Sequence, residues 1–156
     1  MSYVFDTSAF SPLFRNFYRG RFPSLWREYD ELVADGRIVS TREVHREIED
    51  GPIESLRGWA NENMNLFPPP TAAQGAFVGE IYRVPHFQQN IELQKILKGG
   101  KNADPFVIAR AQVDERTVVT SEALRPNASK IPNICEHFGI NWLTLEGFME
   151  AEDWEF

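Results

Sequence analysis

The sequence predicts an α/β fold: a three-layer α/β/α sandwich on a central parallel sheet of about four strands. Three observations predict it. Short runs such as Tyr3–Phe5 and Thr117–Thr120 carry the β-branched and aromatic side chains of buried strands. These runs are apolar throughout rather than alternating, as a parallel sheet covered on both faces requires. Helical patterns separate them. The length of 156 residues fits one domain over residues 1–156.

The elements follow in order. After the first strand, Phe10–Phe17 and Phe22–Val33 read as helices, punctuated by Gly20 and Pro23 and ended by Asp35-Gly36. Ile38-Val39 is a second strand. Ser40 or Thr41 caps a helix through Glu49, and Gly51-Pro52 closes it. Ile53–Asn63 is the next helix. Phe67 and Pro68-Pro69-Pro70 form a stiff extended link. Thr71–Tyr82 and Ile91–Leu97 read as helices around Pro85, and Gly99-Gly100 stops the second. Asp104 as cap and Pro105 at the first helical position open ADPFVIARAQV. TVVT is the third strand. Ile131–Phe138 is a helix ended by Gly139, Ile140–Leu143 the last strand, and Leu145–Glu150 the last helix. The stretch 67–100 reads as a helical elaboration of the sandwich.

Composition excludes several classes. The apolar fraction is 42%, which fits a folded chain. A single cysteine, Cys135, excludes an internal disulfide and a cysteine-based zinc site, and fits a reducing cytoplasm. His45, His86 and His137 lack ligand spacing. No signal peptide is expected, and no apolar run approaches the ~20 residues of a membrane span. The net charge of −7 argues against gripping nucleic acid over the whole surface. It leaves room for a local basic groove or an acidic site that takes cations.

Four acids are placed to meet at one rim. Asp6 ends the first strand, at the carboxyl edge where open α/β sheets bind ligands. Taken alone, it reads as an N-cap of the next helix. Glu122 follows the strand TVV, and Asp104 opens the helix that leads into that strand. Glu47 borders the buried stripe of Val44 and Ile48, with Glu43 as an alternative one turn away. Gathered like charges cost about 4 kcal/mol per pair at 4 Å and an effective dielectric near 20. A cation or protonation must offset that. Oxygen ligands without sulfur or clustered imidazole point to Mg²⁺ or Mn²⁺, and such ions most often handle phosphate oxygens. No nucleophile with a partner base stands out, so hydrolysis by metal-activated water fits better than covalent catalysis.

These motifs resemble the PIN-domain family, in particular its small stand-alone prokaryotic members, which include the VapC-type toxins. VFDTSAF, STREVHREIE, NADPFVIARA and TVVTSE carry the resemblance in order over nearly the whole chain, and KIPNICEHFGINWLTL resembles the ending of one subgroup. The family's acids map onto Asp6, Glu47, Asp104 and Glu122, with Glu122 standing where aspartate is commoner. Its small hydroxyl residues map onto Ser8 and Thr120. The resemblance implies an α/β/α fold and Mg²⁺- or Mn²⁺-dependent cleavage of RNA. It also implies, in many members, a small antitoxin partner and a homodimer. The stretch 67–100 is longer than in compact toxins.

Basic residues flank the proposed acids. FRNFYRGRFPSLWR carries Arg15, Arg19, Arg21 and Arg27 among aromatic residues, and KILKGGKNADP carries Lys95, Lys98 and Lys101. Arg15, Arg19, Lys98 and Lys101 are the candidate phosphate contacts, with the aromatics either core or platforms for unpaired bases. The expected protein is a cytoplasmic, metal-dependent endoribonuclease acting on RNA. The alternative is a PIN-like RNA-binding or protein-interaction module without catalysis. A phosphatase using Asp6 as nucleophile ranks last, because Ser8 stands where that chemistry wants a second aspartate.

Overall fold

The computed structural model describes residues 1–97 and 102–156, with side chains over 1–92 and 102–156. Its four strands are β1 (Tyr3–Phe5), β2 (Ile38–Val39), β3 (Thr117–Val119) and β4 (Trp142–Leu143). They form one parallel sheet in the order β2-β1-β3-β4. Val4 pairs with Val39 on one side and Val118 on the other, and Val119 with Leu143. Every residue of β1 is fully buried, so helices cover both faces of the sheet and the predicted α/β architecture holds.

Nine α-helices lie among the described residues. They are α1 (Thr7–Asn16), α2 (Pro23–Ala34), α3 (Arg42–Glu49), α4 (Glu54–Glu62), α5 (Ala72–Arg83), α6 (Gln88–Leu97), α7 (Asp104–Asp114), α8 (Ile131–Phe138) and α9 (Leu145–Ala151). The core runs from the strands into an aromatic cluster. Phe5 meets Phe10 and Phe148, while Phe14, Trp26, Tyr29 and Trp59 pack as a second group between α1, α2 and α4. Cys135 is buried, and burial pushes its thiol far above the usual range.

Some boundaries differ from the sequence expectation for identifiable reasons. α1 starts at Thr7, directly after Asp6, rather than at Phe10. Thr71 lies outside α5 as its cap, in a reciprocal capping box with Gln74. Pro85 opens a 3₁₀ turn, Pro85–Phe87, which feeds α6 from Gln88 instead of Ile91. Asp104 is not a cap: Ala103 holds that position, and Asp104 and Pro105 are the first two helical residues. The last strand is only Trp142–Leu143. The stretch 67–100, among its described residues, contains α5, the 3₁₀ turn and α6. No helix is long and apolar enough to cross a membrane among the described residues.

Candidate functional site

The strand order places a switch point between β1 and β3, because the chain leaves β1 towards β2 on one side and returns to β3 on the other. Crevices form outside the carboxyl ends of strands at such a point. Asp6 follows β1 and Thr120 follows β3, and the two ends are tied by Asp6 N–H donating to the Val119 carbonyl at 2.9 Å.

Hydroxyl groups line this seam. Ser8 Oγ donates to Asp6 Oδ2 at 2.7 Å, and Thr120 Oγ1 donates to the same oxygen at 3.2 Å. Ser8 Oγ also accepts from Ser121 N–H at 2.9 Å, and Thr120 Oγ1 from Glu122 N–H at 3.2 Å. Pro12, inside α1, has no N–H for the Ser8 carbonyl four residues earlier. Ser121 Oγ donates to that carbonyl instead, at 2.6 Å. Asp6 stands at the N-cap position of α1, yet its side chain makes no capping hydrogen bond. One oxygen, Oδ2, holds both hydroxyls, while Oδ1 is buried with no hydrogen-bond partner.

A cleft of about 390 Å³ opens at this edge, lined by Asp6, Thr7, Ser8, Ser11, Glu47, Asp50 and Glu122. Glu47 reaches it from α3 and accepts from Thr7 Oγ1 at 2.7 Å. Glu122 Oε2 accepts from Ile131 N–H at 2.8 Å, so this carboxylate also satisfies a donor at the start of α8. Three of the four sequence-predicted acids thus share one cleft, joined by Asp50, which the sequence reading did not select.

Asp104 is not among the cleft's lining residues. It is fully buried and accepts from Asn90 Nδ2 at 3.1 Å, and its own N–H donates to Asn102 Oδ1 at 3.2 Å. Asn102 Nδ2 in turn reaches Asn90 Oδ1 at 2.7 Å and the Tyr82 hydroxyl at 3.1 Å. Burial first, and then the charge of Asp104, push the Tyr82 phenol far above its ordinary range. Glu43, the alternative to Glu47, points to a different pocket and pairs with Arg42 at 3.1 Å.

The basic candidates are distributed unevenly. Arg15 is exposed in the last turn of α1. Arg19 is paired with Asp30 at 2.9 Å and lies 4.2 Å over the Trp26 ring. Phe14 and Trp26 are core, whereas Tyr18 is 64% exposed. Lys98 and Lys101 lie outside the described residues.

A family model described as "Domain of unknown function (DUF4411)" matches residues 3–156. The chain belongs to the DUF4411 family. No curated protein matches it. Among solved structures, the DUF4411 chain is similar to VapBC2 from Rickettsia felis bound to a DNA fragment from their promoter. The identity is 14%, the TM-score 0.48, and the match covers 92% of this chain and 98% of the other. At that identity and score the likeness carries no functional weight.

Whether this cleft fits a divalent ion turns on two observations. The donors are all oxygen, and Asp6 Oδ1 is a buried carboxylate oxygen with no hydrogen-bond partner, which suits a hard cation. Among the described residues, however, no group of three or more His, Cys, Asp or Glu is arranged to hold a metal ion. The residues of the DUF4411 cleft fit such an ion in kind, with Asp6 as anchor, without forming a closed ligand set.

Proposed function

We propose that this DUF4411 protein is a PIN-like endoribonuclease that requires Mg²⁺ or Mn²⁺. One observation carries the reading: Asp6, Glu47 and Glu122 line a single cleft at the switch point of the sheet, and Asp6 keeps one buried oxygen without a hydrogen-bond partner. The ordered PIN-like motifs of the sequence support it. Asp6, Glu47 and Glu122 would hold the ion, which when bound supplies water activation and neutralises charge on the phosphodiester. Asp104, buried and bonded to Asn90, is proposed as the fourth acid of the site. Ser8 and Thr120 hold Asp6 through Oδ2, which would leave Oδ1 to a cation. Thr7 holds Glu47 in the cleft. RNA is the proposed substrate, with Arg15, Arg19, Lys98 and Lys101 as proposed phosphate contacts. A small antitoxin and a second copy of the chain are the proposed partners, and the cytoplasm the proposed location.

The test is RNA cleavage by purified protein with Mg²⁺ or Mn²⁺, compared with Asp6→Asn. Wild-type cleavage that the variant loses supports the reading. Equal activity in both removes it. A second reading, a PIN-like RNA-binding or interaction module without catalysis, is favoured by the lack of a closed acidic ligand set among the described residues. RNA binding without metal-dependent cleavage or metal-dependent stabilisation would select it.

A further inference from the structure

One turn before Glu47 on α3, Glu43 lines a separate pocket of about 440 Å³. Its wall combines Arg42, Arg46, Tyr82, Asn102 and Phe106. Glu43 is a buried carboxylate, its side chain 10% exposed. Arg42 meets it poorly: Nε at 3.2 Å and Nη2 at 3.1 Å both fall on Oε1. A guanidinium and a carboxylate pair best through two parallel bonds to two oxygens. Here Oε2 is left buried with no hydrogen-bond partner. Leaving such an acceptor empty is costly, the more so because it is charged.

One acceptor, Oε2, is open, and a flat group with two adjacent, parallel N–H donors would take both carboxylate oxygens once Arg42 turned away. The Arg42 side chain is 40% exposed, so it reaches solvent from the pocket's edge. Arg46, one turn further along α3, is exposed beside it, so the mouth of the pocket carries two guanidiniums. Arginine pairs with phosphate at such a mouth, and aromatic side chains such as Phe106 and Tyr82 offer faces for a base. The Asn102 amide joins this wall to Asp104 through the Asp104 N–H.

We propose that this pocket binds a guanine base of single-stranded RNA. Glu43 accepts the N1–H and 2-amino donors of the guanine edge, while Arg42 and Arg46 hold the adjoining phosphate. A uracil or cytosine would set carbonyl oxygens against the carboxylate, and adenine lacks the second donor. The place of this pocket beside a cleavage site rests on the nuclease reading; the binding itself does not.

The experiment is calorimetric titration of the purified chain, with chelator present, by the 5′-monophosphates of guanosine, inosine, adenosine, cytidine and uridine. Guanosine monophosphate should bind about tenfold or more tightly than the others, including inosine, which lacks only the 2-amino group. Glu43→Gln should remove that preference, and Arg46→Ala should weaken all five alike. Equal affinities overturn the proposal, as does the absence of binding by all five nucleotides. Inosine bound as tightly as guanosine also overturns it, whatever the variants do. A preference unchanged in folded Glu43→Gln does the same. RNA cleavage is scored separately. Cleavage without any guanine preference in the titration removes the pocket and leaves the nuclease reading, and Glu43-dependent guanine binding without cleavage does the reverse.

Discussion

Pro12 and Ser121 are matched across the Ser8 carbonyl: the ring removes the helical donor, and the Ser121 hydroxyl supplies one at 2.6 Å. Together with Ser121 N–H on Ser8 Oγ, this fastens the start of α1 to the loop after β3. The two segments that carry Asp6 and Glu122 are therefore held by hydrogen bonds rather than by apolar packing alone.

Ser121→Ala tests this fastening. The lost bond is solvent-exposed, so the cost should sit near the low end of about 0.5–1.5 kcal/mol. That corresponds to a fall in Tm of a few degrees at most. On the proposed nuclease reading, metal-supported RNA cleavage should fall by more than the stability loss explains, because the loop sets where Glu122 stands. A melting curve and an initial-rate assay on the same sample separate the two effects.

Thr7 orients Glu47 through the 2.7 Å bond to its carboxylate. Groups that orient metal-binding carboxylates typically change metal affinity or activity by about 10–100-fold when removed. Thr7→Val should raise the Mn²⁺ concentration needed for half-maximal cleavage by about tenfold, with activity recovering at high Mn²⁺, and Thr7→Ser should restore the wild-type response. A rate lowered equally at all metal concentrations would detach Thr7 from the proposed metal site.

How much of this was legible in the sequence depends on what each feature needs. The strands were, because Tyr3–Phe5 and Thr117–Val119 are apolar on both faces and only a doubly covered sheet accommodates them. Asp6, Glu47 and Glu122 were legible as neighbours because strand ends and an amphipathic helix face fix their direction. Asp50 was not, since it follows α3 at a turn whose path depends on packing. Asp104 was read both as a cap, from the Asp-Pro pair, and as one of the acids at the rim; Ala103 takes the cap, and the buried Asp104 carboxylate accepts from Asn90. Pro12 was the available signal for the Ser8–Ser121 bond: a proline inside a helix frees a carbonyl, and something must meet it. The Glu43 pocket needed the approach of α5 to α7, which no local pattern states.

Glu122 has two duties that substitution can divide. Its Oε2 accepts from Ile131 N–H, the first helical N–H of α8. Glu122→Gln keeps a carbonyl acceptor there and removes the charge, so stability should stay within about 0.5 kcal/mol while, on the nuclease reading, cleavage falls sharply. Glu122→Ala removes both and should cost about 0.5–2 kcal/mol in addition, the range for lost caps. Thermal melts of both variants beside their cleavage rates give the division. Equal destabilisation by both would mean that the charge, not the acceptor, holds α8.

Alkaline pH should unfold the protein through its phenols. Of the four tyrosines, Tyr3, Tyr29 and Tyr82 are all pushed up from the ordinary value of 10.0, with burial as the largest cause. At Tyr3 the hydrogen bond to Glu152 adds to burial, and at Tyr82 the charge of Asp104 does. Tyr29 is fully buried, with its hydroxyl lacking a hydrogen-bond partner, so ionising it in place is especially unfavourable. The sign follows from linkage. A folded-state pKa above the unfolded one means that the folded chain holds the proton more tightly. The resulting stabilisation is complete below about pH 10 and is lost as pH rises from there through the folded values. Stability to urea should therefore decline above about pH 10. The phenols of buried Tyr3 and Tyr29 and of half-buried Tyr82 should ionise together with the loss of near-ultraviolet circular dichroism, in one cooperative step. Three separate phenolate transitions in a still-folded protein would show instead that solvent reaches these rings without unfolding.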